Sequence, residues 1–161
     1  MNIPIVIYIS LIVFLSETLN CYSQDESIMS LGLNACLPPK NSSKCRKTLD
    51  DADYQVFNIA FNMEYSGEND FVALKKALAT KFKTEYLFSQ GTSKDDLEGI
   101  MMMIKLVSCM PPKNPDNCIK SLRDDAYQVY NAVYNLEKNQ DDDISPLMKA
   151  LVAYFKNEYL R

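Results

Sequence analysis

Apolar residues recur every three or four positions along much of the chain. Leu49, Ala52, Val56, Ile59 and Met63 keep this spacing, which predicts an amphipathic helix from about Cys45 to Tyr65. A second stripe, Tyr54, Phe57, Phe61 and Tyr65, runs beside the first. The combined apolar arc is wide, so this helix is expected at the centre of its unit. The same register returns in Leu122, Val129, Ala132, Val133 and Leu136, with Tyr127, Tyr130 and Tyr134 alongside. After a polar loop in each region comes a further stripe: Phe71, Leu74, Leu78 and Phe82, then Ile144, Leu147, Leu151 and Phe155.

Helix boundaries follow from the residues around these stripes. Ser43 is a candidate N-cap for the central helix, and Asn69 or Asp70 for the one after it. Their side-chain oxygens can accept from otherwise unpaired amides of a first turn. Ser145 followed by Pro146 suits the start of the last helix, because proline fits the first helical position. Two shorter apolar helices are expected at Ser27–Leu37 and Asp96–Met110, stopped by Pro38-Pro39 and Pro111-Pro112. No stretch alternates as a strand would, so the fold class is all-α.

These stripes belong to a repeat. Shifted by 73 residues, Cys36–Phe88 lies over Cys109–Arg161 without a gap, and 25 of 53 positions are identical. Gln55/Gln128, Asn58/Asn131 and Asn62/Asn135 are among the polar identities. The chain therefore reads as two tandem three-helix units from an internal duplication, residues 24–90 and 91–161. Their boundary is expected in the polar stretch Ser89–Ser93. Units of this size make marginal cores alone, so the two should pack together or depend on disulfides.

The N-terminus changes the setting. Ile3 to Leu15 is an unbroken apolar run, the length of a signal-peptide core and short for a membrane span. Cleavage after Ser23 would remove residues 1–23, and Cys21 with them. Cys36, Cys45, Cys109 and Cys118 would remain. An even count in a secreted chain implies disulfides, with three possible connectivities. Local bonds Cys36–Cys45 and Cys109–Cys118 would staple each proline turn, each contributing about 2–3 kcal/mol; the alternative pairs cysteines across units. Asn41-Ser42-Ser43 is a possible N-glycosylation site, whereas Asn114 is followed by proline. The secreted chain has no further stretch of membrane length. Net charge is −4 with no basic run, so nucleic acid and anionic membranes are not expected partners.

Candidate chemistry is sparse. The chain has no histidine, which removes the usual neutral-pH base and the common nucleophilic triads. Oxidised cysteines would supply neither a thiolate nor a zinc site. Acidic clusters at Asp50-Asp51-Asp53, Asp95-Asp96-Glu98 and Asp141-Asp142-Asp143 read as helix caps and solvated faces. The last lacks the glycine and distal glutamate of a calcium loop. No catalytic residue, metal site or cofactor is expected. Ten tyrosines stand out. Tyr54 and Tyr127 mark the same place in both units and are expected in the core. Tyr65, Tyr130 and Tyr154 are the candidate partner surface, since tyrosine is enriched where proteins grip partners.

The residues Cys36, Cys45 and Tyr54, then Cys109, Cys118 and Tyr127, resemble the paired motifs of the bicycle proteins. These are secreted salivary effectors of gall-forming aphids, marked by cysteine–tyrosine–cysteine motifs. In this chain each tyrosine follows both cysteines of its unit instead of lying between them. The resemblance implies delivery in saliva to plant tissue, action on host development or defence through a host protein or other macromolecule, and no enzymatic activity. A secreted carrier of a small apolar ligand is the alternative, suggested by a methionine- and aromatic-rich helical interior closed by disulfides.

Overall fold

The computed structural model describes residues 26–40, 42–87, 106–111 and 118–161. The signal segment, Asn41, the Ser89–Ser93 boundary, the acidic cluster Asp95-Asp96-Glu98 and most of the expected helix Asp96–Met110 lie outside them. Among the described residues the fold is all-α. It has α1 (Asp51–Ser66), α2 (Phe71–Tyr86), α3 (Asp124–Asn139) and α4 (Ser145–Tyr159), together with three single 3-10 turns.

The central helices start later than their apolar stripes suggest. Helix α1 begins at Asp51, capped by Asp50, whose Oδ1 accepts from the Asp53 amide at 2.9 Å. Ser43 is not the cap. The segment before α1 is held in another conformation: the Leu49 amide donates to the Cys36 carbonyl, and the Arg46 amide donates to the Tyr159 carbonyl. Asp70 caps α2 through the Ala73 amide at 3.2 Å. Helix α4 starts at Ser145 with Pro146 in its first turn. The helix expected at Ser27–Leu37 is instead two 3-10 turns, Met29–Leu31 and Leu33–Cys36. Gly32 separates them at φ 62°, a left-handed conformation that an α-helix cannot continue through. In the second region, Leu106–Cys109 is also a 3-10 turn.

Helices α1 and α2 form one hairpin, and α3 and α4 another. Aromatic rings join the hairpins. Phe57 meets Phe155 edge-on at 5.8 Å between centroids, and Phe82 meets Tyr130 edge-on at 6.1 Å. These two contacts exchange residues at the 73-residue offset. Other contacts do the same. The Tyr159 carbonyl accepts from Arg46, and the Tyr86 carbonyl from Ile119. Cys45 bridges to Leu160, and Leu87 to Cys118. Lys47 pairs with Glu158, and Lys120 with Glu85. The two lysines also lie over the rings of Tyr159 and Tyr86, 4.7 and 4.9 Å from their centroids.

Both disulfides are local. Cys36 bonds Cys45 and Cys109 bonds Cys118, with Cα–Cα distances of 5.6 and 5.7 Å. Cys45 and Cys118, one cysteine of each bond, thus meet the C-terminal end of the opposite hairpin's last helix.

Candidate functional site

The most unusual chemistry of the described residues is buried. Asp53 and Lys81 stand on core registers, Asp53 beside Val56, Phe57 and Ala60 in α1, and Lys81 beside Leu78 and Phe82 in α2. Only 1% of Asp53 and 4% of Lys81 is exposed. The Lys81 ammonium lies 2.9 Å from Asp53 Oδ1 and also pairs with Glu85 one turn on. From α4, the Tyr154 hydroxyl donates to Asp53 Oδ2 at 3.0 Å. The Tyr159 hydroxyl donates to Asp53 and, at 3.1 Å, to Asp50. Lys81 Nζ also sits 5.1 Å from the centre of the Tyr154 ring.

Burial and pairing set the ionisation of this cluster. Burial pushes the Asp53 carboxyl up from its ordinary value, against the pull of Lys81 and the Tyr159 hydroxyl. Burial opposes charge on Lys81, but Asp53 and Glu85 together hold its ammonium above the usual lysine range. Both partners move the same way because one lysine serves two carboxylates, which outweigh its burial, while for Asp53, with Asp50 nearby, burial outweighs the partners. For Glu85, burial is outweighed by Lys81 and Lys120, which hold it below the glutamate range. The hydroxyls of Tyr154 and Tyr159 are driven upward, first by burial and then by Asp53.

The cluster has no space to act on a substrate. The gap lined by Asp53, Lys81 and Tyr154, with Val56, Leu78 and Val129, leaves no room for a water molecule. Every charged group in it already has a partner within the cluster. The arrangement fastens α4 to the α1–α2 hairpin.

The structure separates the tyrosines singled out by the sequence. Tyr65 is on the surface, 75% exposed. Tyr130 and Tyr154, expected at the same partner surface, are buried core residues. Their registers explain this correction: each lies one residue from a core position, Val129 and Phe155, and on these helices the buried arc is wide enough to include both. Tyr54 is 39% exposed instead of lying in the core, and Tyr127 is half-buried. Tyr54 stands one residue after Asp53, which takes the inward position. Tyr65 stacks on Phe61, with centroids 6.4 Å apart and planes 11° from parallel. Tyr54 lies eleven residues before it, three turns away on nearly the same helix face.

Among the acidic clusters, Asp50 caps α1, in the role expected of Ser43. Asp53 is the correction: it is a buried ion-pair partner and not a solvated residue. Near α4, Asp143 Oδ1 accepts from the Ser145 amide at 3.0 Å, and hydrogen bonding from Ser145 lowers the Asp143 pKa. A signal for the buried cluster lies in the sequence. At the 73-residue offset Asp53 aligns with Ala126, and Lys81 with Tyr154, so two charges stand where the aligned segment has core-compatible residues.

No protein family, curated protein or solved structure matches the chain.

Proposed function

We propose that the protein is a secreted, non-enzymatic effector that acts by binding a host macromolecule in plant tissue, altering host development or defence. The observation that carries this reading is the aromatic ridge on α1. Tyr65 is held outward by stacking on Phe61, with Tyr54 exposed further along the helix. Large rings ordered on a rigid helix lose little conformational freedom on binding, which is why tyrosine dominates contact hot spots. Secretion is supported by the apolar run Ile3–Leu15 and by two disulfides, which persist in oxidising compartments. No helix among the described residues is long and apolar enough to cross a membrane.

We also read the chain as an internal duplication, residues 24–90 and 91–161. Its support is the 25 identities in 53 aligned positions and the reciprocal contacts of the fold. Under this reading, the two copies exchange the same bonds across their boundary.

The alternative, a carrier for a small apolar ligand, has less support, because the seam between the hairpins around Val56, Leu78 and Val129 is filled. The test is affinity capture from plant extract with the secreted protein and its Tyr65→Ala variant. Recovery of a partner by the native chain and its loss with Tyr65→Ala is the expected result. Equal recovery by both, or none by either, would overturn the proposal.

A further inference from the structure

Helix α3 carries a row of carboxamides that no hydrogen bond among the described residues engages. Gln128, Asn131, Asn135 and Asn139 step by three, four and four residues along one face. They line an open groove of about 280 Å³ between α3 and α4. Ala132 and Ala150 leave the groove free of bulk, and Asp141 and Asp143 stand at one end.

The spacing fits one kind of ligand. Residues four apart on a helix are displaced by about 6 Å along its axis. An extended polypeptide repeats every two residues, about 6.6–6.8 Å, and at that interval it presents an N–H and a C=O in the same direction. A carboxamide has both an acceptor and donors, so each rung can pair with both groups of one peptide residue. The row spans about 16 Å, enough for about five extended residues. A sugar would favour an aromatic platform, and no aromatic ring is among the described residues lining this groove. The two aspartates favour a cationic side chain at one end of the peptide.

We propose that this groove is a binding site for an extended peptide segment carrying a lysine or arginine at its end. Asn131, Asn135 and Asn139 hold the main chain, and Asp141 and Asp143 receive the cation. The proposal rests on reading the chain as a binding protein and adds the class of segment it takes. It uses a different surface from the Tyr65 ridge.

The chain contains its own design for a test. In the first half Gln55, Asn58 and Asn62 repeat the row, but Ile59 stands where α3 has Ala132. Ala132→Ile should therefore fill the groove with a side chain that the equivalent helix already accommodates. The full secreted chain would be screened against a randomised library of seven-residue peptides, and selected peptides measured by fluorescence anisotropy. Enrichment of lysine or arginine is expected. Ala132→Ile and the pair Asn131→Ala/Asn135→Ala should each weaken binding about tenfold or more, whereas Tyr65→Ala should leave it unchanged. Circular dichroism of each variant checks its fold; Ala132→Ile decides if the double variant does not fold. No enrichment, or affinity indifferent to Ala132→Ile, would overturn the site. Oligosaccharide binding abolished by the same variants would assign the groove to sugar instead. Loss of peptide binding with Tyr65→Ala would move the site to the ridge. Failure of the groove with a Tyr65-dependent partner still captured would leave the effector reading standing.

Discussion

The Lys81 ammonium stands 2.9 Å from the Asp53 carboxylate, and neither side chain reaches solvent to any useful extent. Such a pair contributes little relative to a well-packed apolar pair, but removing one member strands the other charge. Lys81→Met and Asp53→Asn should each cost about 3–5 kcal/mol, and the double variant less than their sum. Tyr154→Phe, which removes a hydroxyl donated to Asp53, should cost about 1.5–3 kcal/mol. Urea unfolding of the native protein and the four variants checks this. Additive single effects would show that the pair is not coupled.

Stability should fall at both ends of the pH range. Glu85 and Glu158 are held below the ordinary glutamate value of 4.5, and Asp50 below 3.8. Burial opposes each shift; lysine, arginine and hydrogen-bonding partners outweigh it. Their contribution is present above those ordinary values and is lost as pH falls through the folded-state pKa values. Asp53, raised instead, acts in the opposite direction, so its protonation offsets part of the loss. At high pH, Lys81 and the buried phenols of Tyr86, Tyr154 and Tyr159 are raised. Their contributions are lost as pH rises past the ordinary tyrosine and lysine values, 10.0 and 10.5. Glu85→Gln should flatten the acid limb of the urea midpoint plotted against pH. An acid limb identical to the native protein's would count against the Glu85 pairing.

Gln140 is the only described non-glycine residue with positive φ, at 53°, and it ends α3 where Gly67 ends α1 at φ 71°. Both amides donate to a carbonyl of the last turn. Glycine adopts this conformation without the clash of a Cβ. Gln140→Gly should raise stability by about 0.5–1 kcal/mol, seen as a higher thermal midpoint with unchanged helicity.

The disulfides hold more than their own loops. Replacing Cys36 and Cys45 by serine should cost about 2–3 kcal/mol. The effect should also appear in the opposite hairpin. The Arg161 amide donates to the Lys44 carbonyl inside that loop, and Cys45 bridges to Leu160. Hydrogen exchange at Arg161 should therefore quicken when the Cys36–Cys45 bond is absent. Exchange unchanged there would mean that the loop and the C-terminus are independent.

The four long helices were legible because Leu74, Leu78 and Phe82, and their counterparts, keep one period over three or more turns. Local cysteine pairing was favoured by the repeat and is what the structure has. The ends were less legible. Cys45–Leu49 lies within the apolar register but is drawn into bonds with Cys36 and Tyr159, which no local pattern encodes. Gly32 divides an apolar segment that otherwise reads as one helix. The tyrosine pattern misleads where a stripe has two edges: Tyr54 and Asp53 compete for one inward position, and Asp53, paired with the buried Lys81, takes it.

Native mass spectrometry of the protein purified without denaturation decides between an exterior binding surface and an enclosed ligand. An exterior surface on a filled helical scaffold is the proposed seat of function. This predicts the mass of an oxidised chain with two disulfides and no retained small molecule, with complexes forming only when the captured host partner is added. An apolar molecule carried with the native protein and released on unfolding would contradict it.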